Sequence, residues 1–168
     1  MVDTALLIID LQRGLFKKKI RIFNEDTLIE NINLLIDRCR QNNIPIFFIK
    51  HTNKSFLLEN SEDWKIHTGV EVRNEDLCYK KEHSSLFKEK KILSELKNRG
   101  IKSLIITGLV THGCVKAACI DAKKLGYEVK LVKDGHGNFN KNAKQLIDEW
   151  NKNLAAQGII VLPATEIF

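Results

Sequence analysis

Short runs of β-branched and other apolar residues alternate with longer segments of helical periodicity along the chain, and this alternation most constrains its fold. The predicted strands cover residues 5–9, 46–50, 77–79, 103–107, 128–133 and 159–162. Alternating strands and helices form right-handed βαβ units, which assemble into a parallel sheet with helices on both faces. We therefore expect an α/β fold in three layers (α/β/α), with a doubly wound, mostly parallel, Rossmann-like sheet of about six strands.

The segments between the strands place apolar residues at the spacing of amphipathic helices. Three such stripes are Leu28, Ile32, Leu35, Ile36 and Cys39; Val115, Ala118, Cys119, Ala122 and Leu125; and Ala143, Leu146, Ile147, Trp150 and Leu154. Another helix is predicted over residues 87–98, where Arg99 and Gly100 end it. Only residues 51–76 lack a clear period, and a loop of that length usually serves function or covers a site.

Composition narrows the class of protein. The 168 residues, 43% of them hydrophobic, suffice for one well-buried core, so we predict a single domain over residues 1–168. No apolar run approaches the roughly 20 residues that span a bilayer, and the N-terminal segment is predicted to be a strand, not a signal peptide. The net charge of +6 is scattered along helices that also contain glutamates, which argues against a nucleic-acid partner. The four cysteines form no C-x-x-C pair, which predicts a reduced, cytoplasmic protein.

Chemistry-bearing residues follow the predicted strands, and ligands of open parallel sheets bind at the carboxyl ends of the strands. In chain order these residues are Asp10, His51, Lys80 and Lys81, residues 107–114, and residues 134–136. Cys114 follows a glycine-containing turn at the start of a helix, where the helix dipole favours a thiolate and backbone amides can hold an oxyanion.

Taken singly, Cys114 can equally be a small helix-start residue, and Asp10 a turn residue. Taken together with Lys81, they form a chemically sensible set. A carboxylate can accept the thiol proton and return it to a leaving amine, while an ammonium group stabilises the thiolate and the oxyanion.

Three motifs resemble those of the isochorismatase-like cysteine hydrolase superfamily, in the same order and over essentially the whole chain. LLIIDLQRGLF resembles the first strand of that superfamily with its catalytic Asp, and KEHSSLF resembles its lysine motif. ITGLVTHGCV resembles its nucleophile motif. The resemblance implies a catalytic triad of Asp10, Lys81 and Cys114, with Lys81 preferred over its neighbour Lys80. It also implies a cis peptide before Val110 and an oxyanion hole formed by the amides of Val110 and Cys114.

The activity implied by this resemblance is hydrolysis of a C–N bond, of amide or carbamoyl type, in a small molecule through a thioester intermediate. Alternatives are vinyl ether hydrolysis of the isochorismatase type and a non-catalytic paralogue that binds a small molecule. A flavodoxin-like nucleotide binder is disfavoured because no glycine-rich phosphate loop follows the first strand. Relatives commonly form oligomers, so a homo-oligomer, dimer or higher, is expected.

The resemblance also guides what is expected around the triad. Metal-dependent nicotinamidases have an Asp-x-His pair that the segment KHTNKSFLLENSEDWKIH lacks, so no metal and no other cofactor is expected. The predicted substrate pocket consists of Gln12 in a supporting role, Phe16, His51, Trp64, His67 and His112. The His112 ring is not expected to act as the base for Cys114. His83 and His136 are expected to be polar loop residues near the mouth of the pocket.

Overall fold

The computed structural model describes residues 2–168, and in that part of the chain six strands form a single sheet. The strands are β1 (Thr4–Ile9), β2 (Ile46–His51), β3 (Leu77–Lys81), β4 (Ser103–Leu109), β5 (Glu128–Gly137) and β6 (Ile160–Leu162). Their order is β3-β2-β1-β4-β5-β6, and every neighbouring pair is parallel. The reversal of strand order beside β1 is the doubly wound arrangement, so the predicted fold class is confirmed.

Helices cover both faces of the sheet. They are α1 (Arg13–Phe16), α2 (Glu25–Gln41), α3 (Lys90–Asn98), α4 (Lys116–Lys124) and α5 (Ala143–Ala156). Short 3-10 turns lie at Glu62–Trp64, Leu86–Lys88 and Ala164–Glu166, and a π-helical turn lies at Thr111–Val115. No helix of residues 2–168 combines the length and the apolar character needed to cross a membrane.

The central strand β1 shows why the sheet needs a helical layer on each face. Ala5, Leu7 and Ile9 point into one core with α3, α4 and α5, while Leu6 and Ile8 point into a second core with α1 and α2. All five side chains are fully buried. A strand buried on both faces is a continuous apolar run rather than an alternating one, which is the pattern of its sequence.

The structure corrects the predicted end of β5. Residues 134–136 were expected to follow this strand, but β5 continues to Gly137 through a bulge, where the pairing with β4 shifts between Ile106 and Gly108. The sequence Asp-Gly at 134–135 is typical of a turn and so predicts an early end. Here the chain bulges and pairs again, which places His136 inside the sheet opposite Gly108.

The backbone at the end of β4 requires glycine at position 108. Its φ is +116°, and a Cβ atom at this position would lie 2.0 Å from the carbonyl oxygen of Ile9. Any side chain would therefore push β4 away from the end of β1. The close approach brings the segment that follows β4 next to Asp10, which follows β1.

Candidate active site

Lys81 joins the two other residues of the predicted triad. Its Nζ lies 2.9 Å from Oδ2 of Asp10 and 3.2 Å from Sγ of Cys114. Asp10 follows β1, Lys81 ends β3, and Cys114 lies in the π-helical turn after β4. Lys81 and Asp10 are 1% and 3% exposed, so their ion pair is shielded from solvent. The structure thus brings together three side chains that are far apart in sequence.

The preference for Lys81 over Lys80 follows from the pleat of β3. Successive residues of a strand point to opposite faces, so only one of two adjacent lysines can reach the site. Lys80 points outward and pairs with Glu59 at 2.7 Å on the surface. Lys81 points inward, where its ammonium also donates to the carbonyl oxygen of His83 at 3.2 Å and lies 3.4 Å from Nδ1 of His51.

Asp10 is held in an uncommon backbone conformation. Its φ is +52°, in the left-handed region that non-glycine residues seldom adopt. Its amide donates to Ile49 O and its carbonyl oxygen accepts from the amide of Gln12, both at 2.8 Å, so the strand end is fixed on two sides. Oδ2 is bound by Lys81, whereas the buried Oδ1 has no hydrogen-bond partner within the described part of the chain.

The thiol of Cys114 is protonated in the resting protein. Burial raises its pKa, the Asp10 carboxylate raises it further, and the weaker opposing effect of Lys81 leaves the pKa at about 11. Burial and the Asp10 carboxylate thus act against the thiolate that the helix dipole was expected to favour. One cation faces two groups that can become anions, and the site is neutral only when one of the two is protonated.

A cavity of about 240 Å³ opens in front of the thiol. Its lining residues are Asp10, Leu15, His51, Asn53, Phe56, Leu57, Ser84, Val110, Cys114 and Phe139. Burial and the nearby Lys81 ammonium lower the pKa of His51, so its ring is neutral at pH 7. Among the lining residues Asp10 is thus the one charged group, and its partner Lys81 does not line the cavity.

Most of this lining was not predicted. The missed residues are Leu15, Asn53, Phe56, Leu57, Ser84 and Phe139. Three of them lie in the long loop over 51–76, whose lack of a period had indicated a functional segment. That property indicates a functional segment but not which of its side chains turn inward, so it did not single out these three residues.

Gln12, which was expected in a supporting role, is a fully buried brace rather than a lining residue. Its Nε2 donates to the carbonyl oxygens of His51 at 2.9 Å and Trp64 at 3.0 Å, and its Oε1 accepts from the amide of His51 at 2.8 Å. It therefore ties the end of β2 to the long loop.

Phe16, Trp64 and His67 lie outside the lining of the cavity. The Phe16 ring packs on the His67 ring with a centroid distance of 4.2 Å, and Nδ1 of His67 accepts the amide of Gly69 at 3.1 Å. Trp64 donates from Nε1 to Oγ1 of Thr52 at 2.9 Å. The three side chains are engaged in these other contacts, so the expectation that they line the pocket is corrected.

The remaining histidines differ from expectation in part. His112 is exposed, and its Nδ1 lies 2.6 Å from Nδ2 of Asn138, so it lines no cavity with Cys114. His83 is an exposed loop residue near Glu89, as expected. His136 is only 4% exposed and lies within β5, so the expectation of a loop position at the mouth is wrong. The bulge before it is the reason.

Comparison with known proteins places the chain in a family. The family model described as the isochorismatase domain matches residues 4–162, so the chain belongs to the isochorismatase family. It is 27% identical over 138 residues to the isochorismatase family protein YddQ of Bacillus subtilis, covering 79% of this chain and 77% of that protein. It is 26% identical over 153 residues to Nicotinamidase 3 of Arabidopsis thaliana, covering 82% and 74%.

Solved structures show the same fold. The crystal structure of an isochorismatase family protein superposes with a TM-score of 0.91 at 24% identity, covering 96% of this chain and 99% of that one. The pyrazinamidase of Pyrococcus horikoshii in complex with zinc superposes with a TM-score of 0.84 at 19% identity, with the same coverage.

The zinc of that pyrazinamidase raises the question of whether this chain could hold a metal. Among residues 2–168, no three His, Cys, Asp or Glu side chains are grouped so that they could bind one ion. Nδ1 of His51 faces the Lys81 ammonium, and Nδ1 of His67 accepts an amide. The donor set does not fit a zinc centre, which needs at least three protein ligands.

Proposed function

We propose that this protein is a cysteine hydrolase that cleaves a C–N bond, of amide or carbamoyl type, in a small molecule through a thioester intermediate. The observation that supports this most is the free oxygen of Asp10. A buried acceptor without a partner is unfavourable, and in functional sites such a group marks a place for a ligand or a transferred proton. Oδ1 of Asp10 is the acceptor for the thiol proton of Cys114 and later for the proton of water.

Acylation begins with the transfer of the thiol proton to Asp10. Before transfer the site contains a carboxylate, an ammonium and a thiol; after transfer it contains a carboxylic acid, an ammonium and a thiolate. The net charge is zero in both states, and the Lys81 ammonium contacts whichever group is the anion. The raised pKa of Cys114 is therefore compatible with reaction, because the thiolate forms only as the proton leaves.

The thiolate of Cys114 then attacks the carbonyl carbon, and the oxyanion is stabilised by the backbone amides of Val110 and Cys114. The peptide between Leu109 and Val110 is cis in the structure. Asp10, now protonated, donates its proton to the leaving nitrogen, and ammonia or an amine departs. Water gives a proton to the regenerated carboxylate and attacks the thioester, which releases the acid and restores the thiol.

The cavity supports a small, uncharged substrate. Its volume of about 240 Å³ lies below the range of about 300–1,000 Å³ that is common for ligand pockets. Phe56 and Phe139 are the aromatic groups of the lining, and Asn53 and Ser84 offer neutral polar atoms. A nicotinamidase and a pyrazinamidase among the similar proteins agree with hydrolysis of a small amide.

The test is ammonia release from a panel of small amides, carbamoyl compounds and nicotinamide, with intact-protein mass spectrometry to detect an acylated Cys114. Cys114→Ala should abolish both turnover and the adduct. Cys119→Ala is the matched control, because Cys119 is fully buried in α4 and should leave both unchanged. Vinyl ether hydrolysis that persists in Cys114→Ala, or the lack of turnover and of electrophile labelling at Cys114, would contradict the proposal.

A further inference from the structure

A second buried polar cluster lies on the opposite side of the turn that contains the nucleophile. It consists of Thr111, His136 and Asn151, which we call the Thr111 cluster, and all three are less than 9% exposed. Oγ1 of Thr111 lies 2.9 Å from Nδ1 of His136, and Nε2 of His136 lies 2.9 Å from Oδ1 of Asn151. The cluster thereby connects the π-helical turn with β5 and α5.

The donors and acceptors in the Thr111 cluster can be assigned by starting from Asn151. Nδ2 of Asn151 donates to the carbonyl oxygen of Lys133 at 3.1 Å, so the acceptor Oδ1 faces His136. Nε2 of His136 must therefore bear the ring proton. Burial lowers the pKa of His136, and in the neutral ring Nδ1 is an acceptor. The Thr111 hydroxyl then faces two acceptors, Nδ1 of His136 at 2.9 Å and the carbonyl oxygen of Gly137 at 3.0 Å, which share its single proton.

The Thr111–Val115 turn is hydrogen-bonded to the residue that precedes it. The amides of Gly113 and Val115 both donate to the single carbonyl oxygen of Val110, at 3.0 and 3.3 Å. Gly113 has φ −109° and ψ −110°, which is not helical, so the turn is irregular at the residue before Cys114. The Thr111 side chain supplies the contacts that tie the start of this turn to the sheet.

We propose that His136 is a positioning residue: through the Thr111 hydroxyl it fixes the Thr111–Val115 turn, and so holds the Cys114 sulfur against Lys81 and Asp10. The inference rests on the proposed function, because it assigns a purpose to that placement. The thiol lies only 3.2 Å from the ammonium, and a shift of about 1 Å in a reacting group can reduce a rate about 100-fold.

The experiment compares three threonine variants. Thr111→Val removes the hydroxyl at nearly constant shape, Thr111→Ser keeps it, and Thr107→Val is the matched control. Thr107 is also fully buried and donates to a backbone carbonyl, that of Leu7 at 3.2 Å, but lies in β4 and not in the turn. Each variant is measured for melting temperature, for hydrolysis of an amide substrate, and for iodoacetamide alkylation of Cys114 against pH.

Thr111→Val should reduce kcat about 10-fold or more with a smaller change in KM. Its alkylation pKa should fall from the raised value of the wild type towards about 8.5, the value of a free thiol, because the sulfur leaves the buried site beside Asp10. Thr111→Ser should restore both. Thr107→Val should lower the melting temperature alone. In ¹⁵N spectra, the Nδ1 resonance of His136 should shift in Thr111→Val and not in Thr107→Val.

Two outcomes would separate failure of this inference from failure of the proposed function. The first outcome is a wild-type alkylation pKa of about 8.5 that does not change when Asp10 or Lys81 is replaced. This outcome would overturn the proposed function, and the positioning role would fall with it. The second outcome is a raised alkylation pKa in the wild type and a Thr111→Val variant that changes neither kcat nor the alkylation profile but has a lower melting temperature. This outcome would overturn the positioning role alone, and the Thr111 cluster would then contribute only to stability.

Discussion

Two buried polar clusters flank the Thr111–Val115 turn, and they differ in how completely their groups are paired. The proposed catalytic cluster, which consists of Asp10, Lys81 and Cys114, contains an ion pair, a thiol and one carboxylate oxygen without a partner in the described part of the chain. The Thr111 cluster is uncharged, and each of its side chains has hydrogen-bond partners on both sides.

The difference shows what each arrangement can do. A buried network in which every side chain already has hydrogen-bond partners offers no vacant position for a ligand, so it fixes geometry. A cluster with an unpaired acceptor and a group of perturbed pKa has a proton to move and a site to fill, which is typical of catalysis. We therefore propose that the Thr111 cluster fixes the turn and that the cluster of Asp10, Lys81 and Cys114 carries out the chemistry.

The largest expected effect separates the two clusters by their chemistry. Cys114→Ser should lower hydrolysis by at least about 10³-fold, because the serine hydroxyl has a far higher pKa and Asp10 is too weak a base to remove its proton. The melting temperature should change little, because oxygen and sulfur differ little in size. Substrate turnover and thermal unfolding of the same preparation provide the check. A variant that keeps a tenth or more of wild-type activity would contradict the nucleophile assignment.

Asp10→Asn is expected to change two rates in opposite directions. Hydrolysis should fall by about 10²–10⁴, since a carboxamide can neither accept the thiol proton nor donate one to the leaving nitrogen. Alkylation of Cys114 near pH 8 should become faster, because removing the Asp10 carboxylate removes a cause of the raised thiol pKa. Equal losses in both rates would indicate that the variant has merely disturbed the turn.

The proximity of Asp10, Lys81 and Cys114 could be predicted from the sequence because the three residues follow simple positional rules. Asp10 and Lys81 lie at the carboxyl ends of parallel strands, Cys114 follows the strand β4, and each belongs to a recognisable motif. Strand periodicity alone could not choose between Lys80 and Lys81, since the burial of a given strand face depends on its neighbours. The spacing of the lysine motif made that choice.

The Thr111 cluster could not be predicted from the sequence, for a physical reason. His136 follows an Asp-Gly pair that is typical of a turn, and only its pairing with Gly108 across the bulge makes it a residue of the sheet. The cavity wall was missed similarly: Phe56 and Leu57 lie in a segment without periodicity, and whether such side chains turn inward depends on long-range contacts. Gln12 was expected near the site in a supporting role, and its hydrogen bonds to His51 and Trp64 are of that kind.

Lys81→Met tests whether the ion pair of the catalytic cluster is also needed by the fold. The variant leaves the carboxylate of Asp10 buried without its cation, and loss of one partner of a buried pair destabilises by about 3–5 kcal/mol. The alkylation pKa of Cys114 should rise further, because Lys81 opposes the other shifts. Lys80→Met, which removes a surface pair with Glu59, should change neither urea unfolding nor the alkylation profile. A similar loss of stability in both variants would contradict the distinction.

The smallest effect concerns the Thr111 cluster and has a defined sign. Burial is the main cause that lowers the pKa of His136, so the folded protein keeps this ring neutral while the unfolded chain protonates it below about pH 6.5. The unfolded state then binds more protons than the native state, and the free energy of unfolding falls as the pH falls. The slope is at most about 1.4 kcal/mol per pH unit for one such ring, and it ends at the folded pKa.

Imidazole C–H resonances followed from pH 7.5 to about 5 provide the measurement. The His136 signal should keep its neutral position at pH values below about 6.5, where a free imidazole becomes protonated, because burial in the core disfavours the charged ring. A His136 signal that titrates near about 6.5 in the folded protein would show that the ring is accessible and loosely held. The Thr111 cluster would then be unable to fix the turn, and the proposed difference in role between the two clusters would be lost.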